Sequence, residues 1–155
     1  MTTLTSTSTY FSTRGRVTQY LPQSSETMTA HFMHKLCHET DPSDVYADME
    51  EGMDNFLVID ARSHESFTRE HIPGAINIPH RQMNLETTAF LPKDKIMVVY
   101  CDGIGCNAST KGSLKLAGLG FIVKEMIGGL EWWKFDGYAT EKGPLSSNPL
   151  VCGCE

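Results

Sequence analysis

The sequence predicts an α/β domain with a central parallel sheet, helices on both faces of that sheet, and a helical extension before it. Two observations predict this class. Four apolar runs along the 155-residue chain have the length of buried strands, and segments with helical periodicity separate these runs. Strands that alternate with helices form βα units, in which the strands pair in parallel and are covered on both sides.

The first 25 residues contain twelve Ser or Thr residues and few large apolar groups. Such a stretch buries too little apolar surface to offset the entropy that is lost when it becomes ordered. We therefore expect residues 1–25 to be mobile, although the pattern of residues 16–21 would also allow a short edge strand.

A helical extension is predicted for residues 26–54. An apolar residue at every fourth position predicts a helix over residues 26–38, and a Pro followed by acids starts a second short helix that stops at Gly52. The apolar positions of the first helix are Met28, Phe32 and Leu36.

The main domain is predicted for residues 55–142, and residues 143–155 form a C-terminal tail. Ser63 supplies a cap for the first helix of the domain, Pro79 ends the second strand, and Gly120 ends the third helix. In chain order the predicted elements are a strand at 56–59, a helix at 63–71, a strand at 75–78, a helix at 81–90, a strand at 96–100, a helix at 107–119, a strand at 121–123 and a helix at 130–135.

Composition and charge exclude several classes of function. The net charge is −6, so we expect no electrostatic attraction to nucleic acid, and no apolar run approaches the ~20 residues of a membrane span. Five cysteines cannot form a complete disulfide framework, and the N-terminus lacks the apolar stretch of an export signal. We therefore expect a cytoplasmic protein with reduced thiols and no membrane partner.

The candidate nucleophile is Cys101, which directly follows the apolar strand at 96–100. Ligands of open α/β sheets bind at the carboxyl ends of the strands. Gly103 and Gly105 allow backbone N–H groups to converge in a short loop, and the next helix adds the positive end of its dipole. A thiolate would be stabilised there and the pKa of the cysteine lowered. A buried structural cysteine at a strand end is the alternative.

Four sequence blocks resemble the rhodanese-like domains, a family of sulfurtransferases, over roughly residues 55–139. The blocks are LVIDARSHESFTREHIPGAINIP (57–79), VVYCDGIGC (98–106), LAGLGF (116–121) and GGLEWW (128–133). The first block carries recurring family positions at Asp60, Arg62, Glu65, His71, Ile72, Pro73, Gly74, Ala75, Asn77 and Pro79. The chain is most similar to single-domain bacterial rhodaneses whose loop ends in Cys-Asn and which carry a helical extension.

The resemblance implies a sulfurtransferase that needs no metal or organic cofactor. Cys101 would take sulfane sulfur from a donor as a persulfide and pass it to a thiol acceptor, in two half-reactions of covalent catalysis. The active-site loop would comprise Asp102, Gly103, Ile104, Gly105, Cys106 and Asn107. Thiosulfate, a small persulfide and a protein persulfide all remain open as the donor.

The loop departs from the pattern of thiosulfate-using members, which often carry basic residues there. Asp102 beside the nucleophile disfavours both a thiolate and an anionic donor, so thiosulfate is expected to be a poor substrate. Position 107 is Asn rather than the Arg that related phosphatases use to clamp phosphate, which argues against phosphatase activity. Cys106 is either a small residue that closes the loop or a resolving thiol, so a thiol oxidoreductase that cycles Cys101 and Cys106 is an alternative function.

A non-catalytic module that binds a partner is a further alternative, against which the cysteine at the first loop position argues. Cys152 and Cys154 are either part of a disordered tail, a redox or sulfur-accepting pair, or ligands of a shared metal site. His31, His34 and His38 have metal-ligand spacing, but no second group of ligands is available, so a solvated helix face is preferred.

Three residues of the first block are expected to be structural. An ion pair is predicted between Arg62 and Glu65, with Arg62 at most supporting the site. Asp60 is expected to accept hydrogen bonds at the strand end, and His71 to fix the turn before Pro73.

Overall fold

The computed structural model describes residues 15–144, which belong to two compact units divided between residues 35 and 36. In the first unit, residues 15–20 form turns and bends, so the edge strand that residues 16–21 would allow is wrong. Helix α1, Ser25–His38, begins in this unit as predicted, and none of its residues is buried. The predicted mobility of residues 1–14 lies outside the described residues.

The larger unit is an α/β fold around one parallel sheet, as predicted. Its five strands lie in the order β1-β5-β4-β2-β3, and every pair of neighbouring strands is parallel. In chain order the elements are β1 Glu39–Thr40, α2 Pro42–Glu50, β2 Phe56–Asp60, α3 His64–Arg69, β3 Ile76–Asn77, β4 Ile96–Tyr100, α4 Ala108–Gly118, β5 Ile122–Met126 and α5 Gly129–Phe135.

Strand β4 lies at the centre of the sheet and faces two separate apolar cores. Val98 and Tyr100 pack into a core that α2, α3 and α5 complete, whereas Met97 and Val99 pack into a core that includes residues of α4. Because successive side chains of a strand point to opposite faces, helices cover the sheet on both sides. Burying each such side chain contributes about 1.5–3 kcal/mol, so the carboxyl end of β4 is firmly placed.

The helix predicted at residues 81–90 is wrong, because this segment consists of turns. The side chain of Asn84 accepts hydrogen bonds from the backbone N–H groups of Glu86 and Thr87. The hydroxyls of Thr87 and Thr88 donate to the backbone carbonyls of Gln82 and Asn84. Such local bonds give the backbone an alternative to the helical pattern, so they override the apolar periodicity.

Two strands differ from the prediction. β5 ends at Met126 rather than at Val123, although Lys124 and Glu125 interrupt its apolar pattern. β1 was not predicted, because two residues carry no periodic signal; it pairs Glu39 with Glu125 and Thr40 with Met126. Within residues 15–144, no helix combines the length and the apolar character that crossing a bilayer requires.

Candidate active site

Cys101 occupies the carboxyl end of the central strand, as predicted, and only 2% of its surface is exposed. The backbone is anchored on both sides of this residue. The N–H of Ala61 after β2 donates to the carbonyl of Tyr100, and the N–H of Leu130 in α5 donates to the carbonyl of Cys101 at 2.9 Å. The backbone of this candidate nucleophile is therefore held by the sheet and by α5.

The sulfur of Cys101 is surrounded mainly by oxygen atoms. It lies 3.1 Å from the carbonyl oxygen of Cys106 and 3.8 Å from that of Gly103, so these oxygens are alternative acceptors for the single thiol proton. The hydroxyl of Ser109, in the first turn of α4, lies 3.1 Å from the sulfur. These neighbours suit a protonated thiol as the resting form of the nucleophile, because a carbonyl oxygen can only accept a hydrogen bond.

The pKa of Cys101 is raised above its ordinary value, so the predicted lowering is wrong. Burial is the main cause, because it penalises the charged thiolate. The hydroxyl and the backbone N–H of Ser109 lower this pKa, which is the contribution expected from the start of a helix. Hydrogen bonding and charge from the Cys106 thiol raise it further. A resting thiol of this kind needs a proton acceptor before it can attack.

The active-site loop, residues 102–107, has a tight turn at its centre. The N–H of Cys106 donates to the carbonyl of Gly103 at 3.0 Å, and Ile104 at the tip of the turn is 75% exposed. Asn107 occupies the N-cap position of α4 but makes no capping bond with its side chain. Residues 103–106 therefore form a turn that is closed by its own backbone bond.

Helix α5 comes close to the loop because of two glycines. Gly128 and Gly129 have φ angles of 82° and 57°, which L side chains rarely adopt. A Cβ atom at Gly129 would also overlap the backbone of Cys101 and Asp102. This close approach lets the N–H of Glu131 donate to the carbonyl of Asp102 at 2.8 Å.

Arg62 connects the loop to the core, but its partners differ from those predicted. Its guanidinium bonds with the carboxylate of Asp60 at 2.6 Å and with that of Asp102 at 3.0 Å. Glu65 pairs with Arg69 instead, so the predicted pair between Arg62 and Glu65 is wrong. Although burial alone would lower the pKa of Arg62, hydrogen bonding and charge from Asp60 raise it overall.

Two residues of the first block act as the sequence predicted. Asp60 is fully buried and accepts hydrogen bonds from Arg62 and from the hydroxyl of Tyr100, the latter at 2.6 Å. The backbone of His71 pairs with that of Glu141, and its ring nitrogen Nδ1 lies 2.8 Å from the carbonyl of Phe67. These contacts fix the segment before Pro73.

Sequence reasoning missed two residues that lie beside the nucleophile. Ser109 donates to a carboxylate oxygen of Glu125 at 2.7 Å, and its own oxygen faces the sulfur of Cys101. Glu125 lies near the carboxyl end of β5, which pairs with β4. The signal that could have pointed to this position is the pair of charged residues, Lys124 and Glu125, that interrupts the apolar pattern of this parallel strand.

Two of the cavities that adjoin the loop contain both Gly103 and Cys106. The smaller, of about 200 Å³, contains the sulfur side of the site and is lined by Cys101, Ser109, Glu125 and Ile127, among others. The larger, of about 500 Å³, contains three bases and three acids and extends to Cys106. The bases are Arg62, Arg69 and Lys134, and the acids are Glu70, Asp102 and Glu131.

The remaining candidates from the sequence are two cysteines near the C-terminus and three histidines of α1. Cys152 and Cys154 lie outside the described residues. Across residues 15–144, no group of three or more His, Cys, Asp or Glu side chains could hold a metal ion. This range includes His31, His34 and His38 of α1.

Comparisons with known proteins agree with this fold. The BH2092 protein from Bacillus halodurans superposes with a TM-score of 0.76 and 38% identity, over 81% of this chain and 96% of that chain. The HTH-type transcriptional regulator Rv0324 of Mycobacterium tuberculosis is 33% identical over 86 residues, or 56% of this chain. A tRNA sulfurtransferase of Desulfurococcus amylolyticus is 35% identical over 74 residues, or 48% of this chain.

These curated relatives are longer proteins, of which the matched regions span 38% and 14% respectively. The family model for the rhodanese-like domain matches residues 41–136, from the residue before α2 to the residue after α5. This range includes the central strand, Cys101 and the whole active-site loop. The chain therefore belongs to the rhodanese-like domain family.

Proposed function

We propose that this protein is a sulfurtransferase that carries sulfane sulfur as a persulfide on Cys101. The observation that carries the proposal is the position of this cysteine. It is the first residue after the central strand, it is anchored on both sides by backbone hydrogen bonds, and its sulfur opens on the cavity of about 200 Å³. A nucleophile fixed in this way can present the same sulfur atom first to a donor and then to an acceptor.

In the first half-reaction, the ionised sulfur of Cys101 attacks the outer sulfur of a donor R–S–S⁻. A new S–S bond forms on Cys101, the S–S bond of the donor breaks, and the donor leaves as a thiol after taking up the proton that Cys101 has lost. In the second half-reaction, an acceptor thiolate attacks the outer sulfur of the Cys101 persulfide and regenerates the Cys101 thiolate. Neither step needs an oxidant or a reductant.

The charges around the loop favour a persulfide over thiosulfate as the donor. Asp102 and Glu131 both lie at the loop, and the guanidinium of Arg62 is already bonded to Asp60 and Asp102. A dianion such as thiosulfate would therefore meet carboxylates before it met a free cation, whereas a persulfide group carries at most one charge. The proposed donors are accordingly a small persulfide or a protein persulfide, and the acceptor is a thiol.

The test is mass spectrometry of the protein after incubation with a panel of sulfur donors, followed by transfer to cyanide. The wild-type protein should gain about 32 mass units on the peptide that contains Cys101, and Cys101→Ser should gain nothing there and transfer nothing. Cys37→Ser is the matched control, because Cys37 is an exposed cysteine outside the loop. Transfer that persists in Cys101→Ser would refute the assignment.

A second candidate function is a thiol oxidoreductase, which the interaction between Cys101 and Cys106 favours. The Cys106 thiol is close enough to raise the pKa of Cys101 through hydrogen bonding and charge. After oxidation of Cys101 by peroxide to a sulfenic acid, the sulfur of the Cys106 thiol would attack that sulfur and form a disulfide, and the thiol proton would leave with the hydroxyl group as water. A thioredoxin-type dithiol would then be needed to reduce the disulfide.

Peptide mapping after mild peroxide treatment tests this second function. A crosslink between Cys101 and Cys106 supports it, and Cys106→Ser should then oxidise further at Cys101 under the same dose. A truncation of residues 150–155 distinguishes a crosslink to Cys152 or Cys154. Direct oxidation of Cys101 to a sulfinic acid in the full-length protein would contradict this function.

A further inference from the structure

A chain of hydrogen bonds connects the nucleophile to a carboxylate on the neighbouring strand. The sulfur of Cys101 lies 3.1 Å from the hydroxyl oxygen of Ser109, and that hydroxyl donates to Oε1 of Glu125 at 2.7 Å. Ser109 is 3% exposed, whereas Glu125 is half-buried and lines the same cavity as the sulfur. The thiol end of this chain of hydrogen bonds is therefore buried, and the carboxylate end can exchange protons with water.

The single proton of Ser109 fixes the direction of this chain. A serine hydroxyl has one donor and two acceptor positions. Because the proton of Ser109 is directed to Glu125, its oxygen can only accept from Cys101, which agrees with a resting thiol. When the thiol loses its proton, the hydroxyl must reverse and donate to the thiolate, and the carboxyl group must then be protonated to keep its bond to Ser109.

The groups that surround Glu125 come from α4, from the neighbouring strands β4 and β1, and from the loop. On α4, Thr110 also donates to its Oε1, at 2.8 Å. The register partner on β4 is the apolar Val99, and that on β1 is the acid Glu39. At the loop, Cys106 lines the same cavity. Asp102, the acid next to the nucleophile in sequence, is bonded to Arg62 instead.

We propose that Ser109 and Glu125 form the proton relay that ionises Cys101. This inference rests on the proposed function for its role in sulfur transfer, but the relay itself can be measured without a sulfur donor. Ser109 contacts the reacting sulfur directly, whereas Glu125 acts through Ser109 and serves as a positioning residue and terminal proton acceptor.

The step is balanced within the three residues. The S–H bond of Cys101 breaks and its electron pair stays on the sulfur, while the proton moves to the oxygen of Ser109. The original hydroxyl proton of Ser109 moves to the carboxylate of Glu125, so the total charge of the three groups stays at −1. When the sulfur donor is cleaved, its departing sulfur takes up the same proton by the reverse path and the carboxylate is restored.

The relay is tested by alkylating Cys101 with iodoacetamide and following the peptide that contains Cys101 by mass spectrometry. The substitution Glu125→Gln retains an oxygen that can accept from Ser109 but removes the proton acceptor. We expect alkylation at pH 6.5 to be slower than in the wild type by about a hundredfold or more, the range of general base catalysis. At pH 10, where hydroxide in the solvent can take the thiol proton directly, the variant should match or exceed the wild type.

A purely electrostatic or structural role of Glu125 predicts a different result. Removal of a negative charge near a thiol favours the thiolate, so alkylation of Glu125→Gln would then be faster at pH 6.5. A loss of equal size at every pH would indicate displaced geometry. Either result overturns the relay. Glu39 on β1 is the register partner of Glu125. Glu39→Gln removes its carboxylate, so this variant measures the effect of charge alone and should not slow the alkylation of Cys101.

Substitutions of Ser109 complete the test. Ser109→Ala should show the same loss at pH 6.5, and Ser109→Thr, which keeps the hydroxyl, should restore most of the rate. Ser113→Ala is the matched control, because Ser113 lies one turn later on α4 and its hydroxyl makes no hydrogen bond within the described residues. Wild-type rates in Ser109→Ala would refute the relay. The variants could lose alkylation rate at pH 6.5 but not at pH 10 while the wild-type protein transfers no sulfur. That result would support the relay and reject the proposed function.

Discussion

The guanidinium of Arg62 lies 3.0 Å from the carboxylate of Asp102, and the two residues differ sharply in exposure. The side chain of Arg62 is 5% exposed and that of Asp102 is 65% exposed. A buried cation thus reaches outward to the acid that follows the nucleophile. This contact uses one guanidinium nitrogen that would otherwise face the cavity of about 500 Å³.

The first prediction concerns this pair. Asp102→Asn removes a negative charge and frees part of the Arg62 guanidinium for an anionic donor. We expect the KM for thiosulfate to fall by roughly two- to tenfold, and the gain to shrink at high salt because exposed charges are screened. Steady-state kinetics at two ionic strengths measure this effect. Asp94→Asn, at an exposed position away from the loop, is the control, and an unchanged KM in Asp102→Asn would remove the electrostatic argument.

The second prediction adds a cation at the end of the loop. Cys106 lines the larger cavity together with Arg69 and Lys134. Cys106→Arg should improve the use of thiosulfate, mainly through a lower KM, and this effect should also weaken with salt. Cys106→Met adds comparable length without charge, so an equal improvement in that variant would show that size rather than charge is responsible.

The third prediction concerns the approach of α5 to the loop. Gly129→Ala places a Cβ within 2.9 Å of the carbonyl carbon of Asp102 and forces a side chain into a φ of 57°. We expect the free energy of unfolding by urea to fall by more than about 1–3 kcal/mol, and the rate of the proposed sulfur transfer to fall as well. Gly52→Ala is the control, since Gly52 also has a positive φ but has open space around it. Equal losses in both variants would show that backbone strain alone accounts for the effect.

The fourth prediction concerns the dependence of stability on pH. Burial, followed by the charge and hydrogen bond of Asp60, raises the pKa of Tyr100 well above 10. The folded state therefore keeps a proton that the unfolded state loses near pH 10. The stabilisation is complete below pH 10 and falls as the pH rises above it, by up to about 1.4 kcal/mol per pH unit.

Urea unfolding between pH 8 and 11 measures this decline. The experiment is best made in the Cys101→Ser background, because the raised pKa of Cys101 gives a decline of the same sign. Tyr100→Phe should have a lower free energy of unfolding at neutral pH. Above pH 10, its free energy of unfolding should fall less steeply with pH, because the phenol is absent. A slope that is identical with and without the phenol would contradict the prediction.

The sequence was sufficient to predict a parallel sheet and the position of Cys101 at the end of its central strand. Strand β4 and Cys101 were predictable because a buried parallel strand is a nearly continuous apolar run, and its end marks the ligand side of the sheet. The helix at residues 81–90 was not, because hydrogen bonds between neighbouring side chains and backbone decide its conformation. Apolar periodicity contains no information on such bonds.

The chemistry around the sulfur was harder to predict than its position. The pKa of Cys101 depends on how deeply the thiol is buried and on which atoms of Cys106 and Ser109 face it. The partner of Arg62 depends on the path of the loop, which brings Asp102 within reach although it lies 40 residues away in sequence. Glu125 lies close to Ser109 only because β5 pairs with β4, a strand order that the sequence does not state.

The backbone bonds around the nucleophile have a consequence for how this protein could be redesigned. The carbonyls of Tyr100, Cys101 and Asp102 are each held by N–H groups from outside the loop, whereas the turn at residues 103–106 is closed by a bond within itself. The turn can therefore be exchanged without loss of the backbone bonds that hold Cys101, whereas the carbonyls of Gly103 and Cys106 that contact the sulfur would change with it. Exchanging it for the turn of another rhodanese-like domain should change which molecules reach the sulfur and leave the backbone of Cys101 in place.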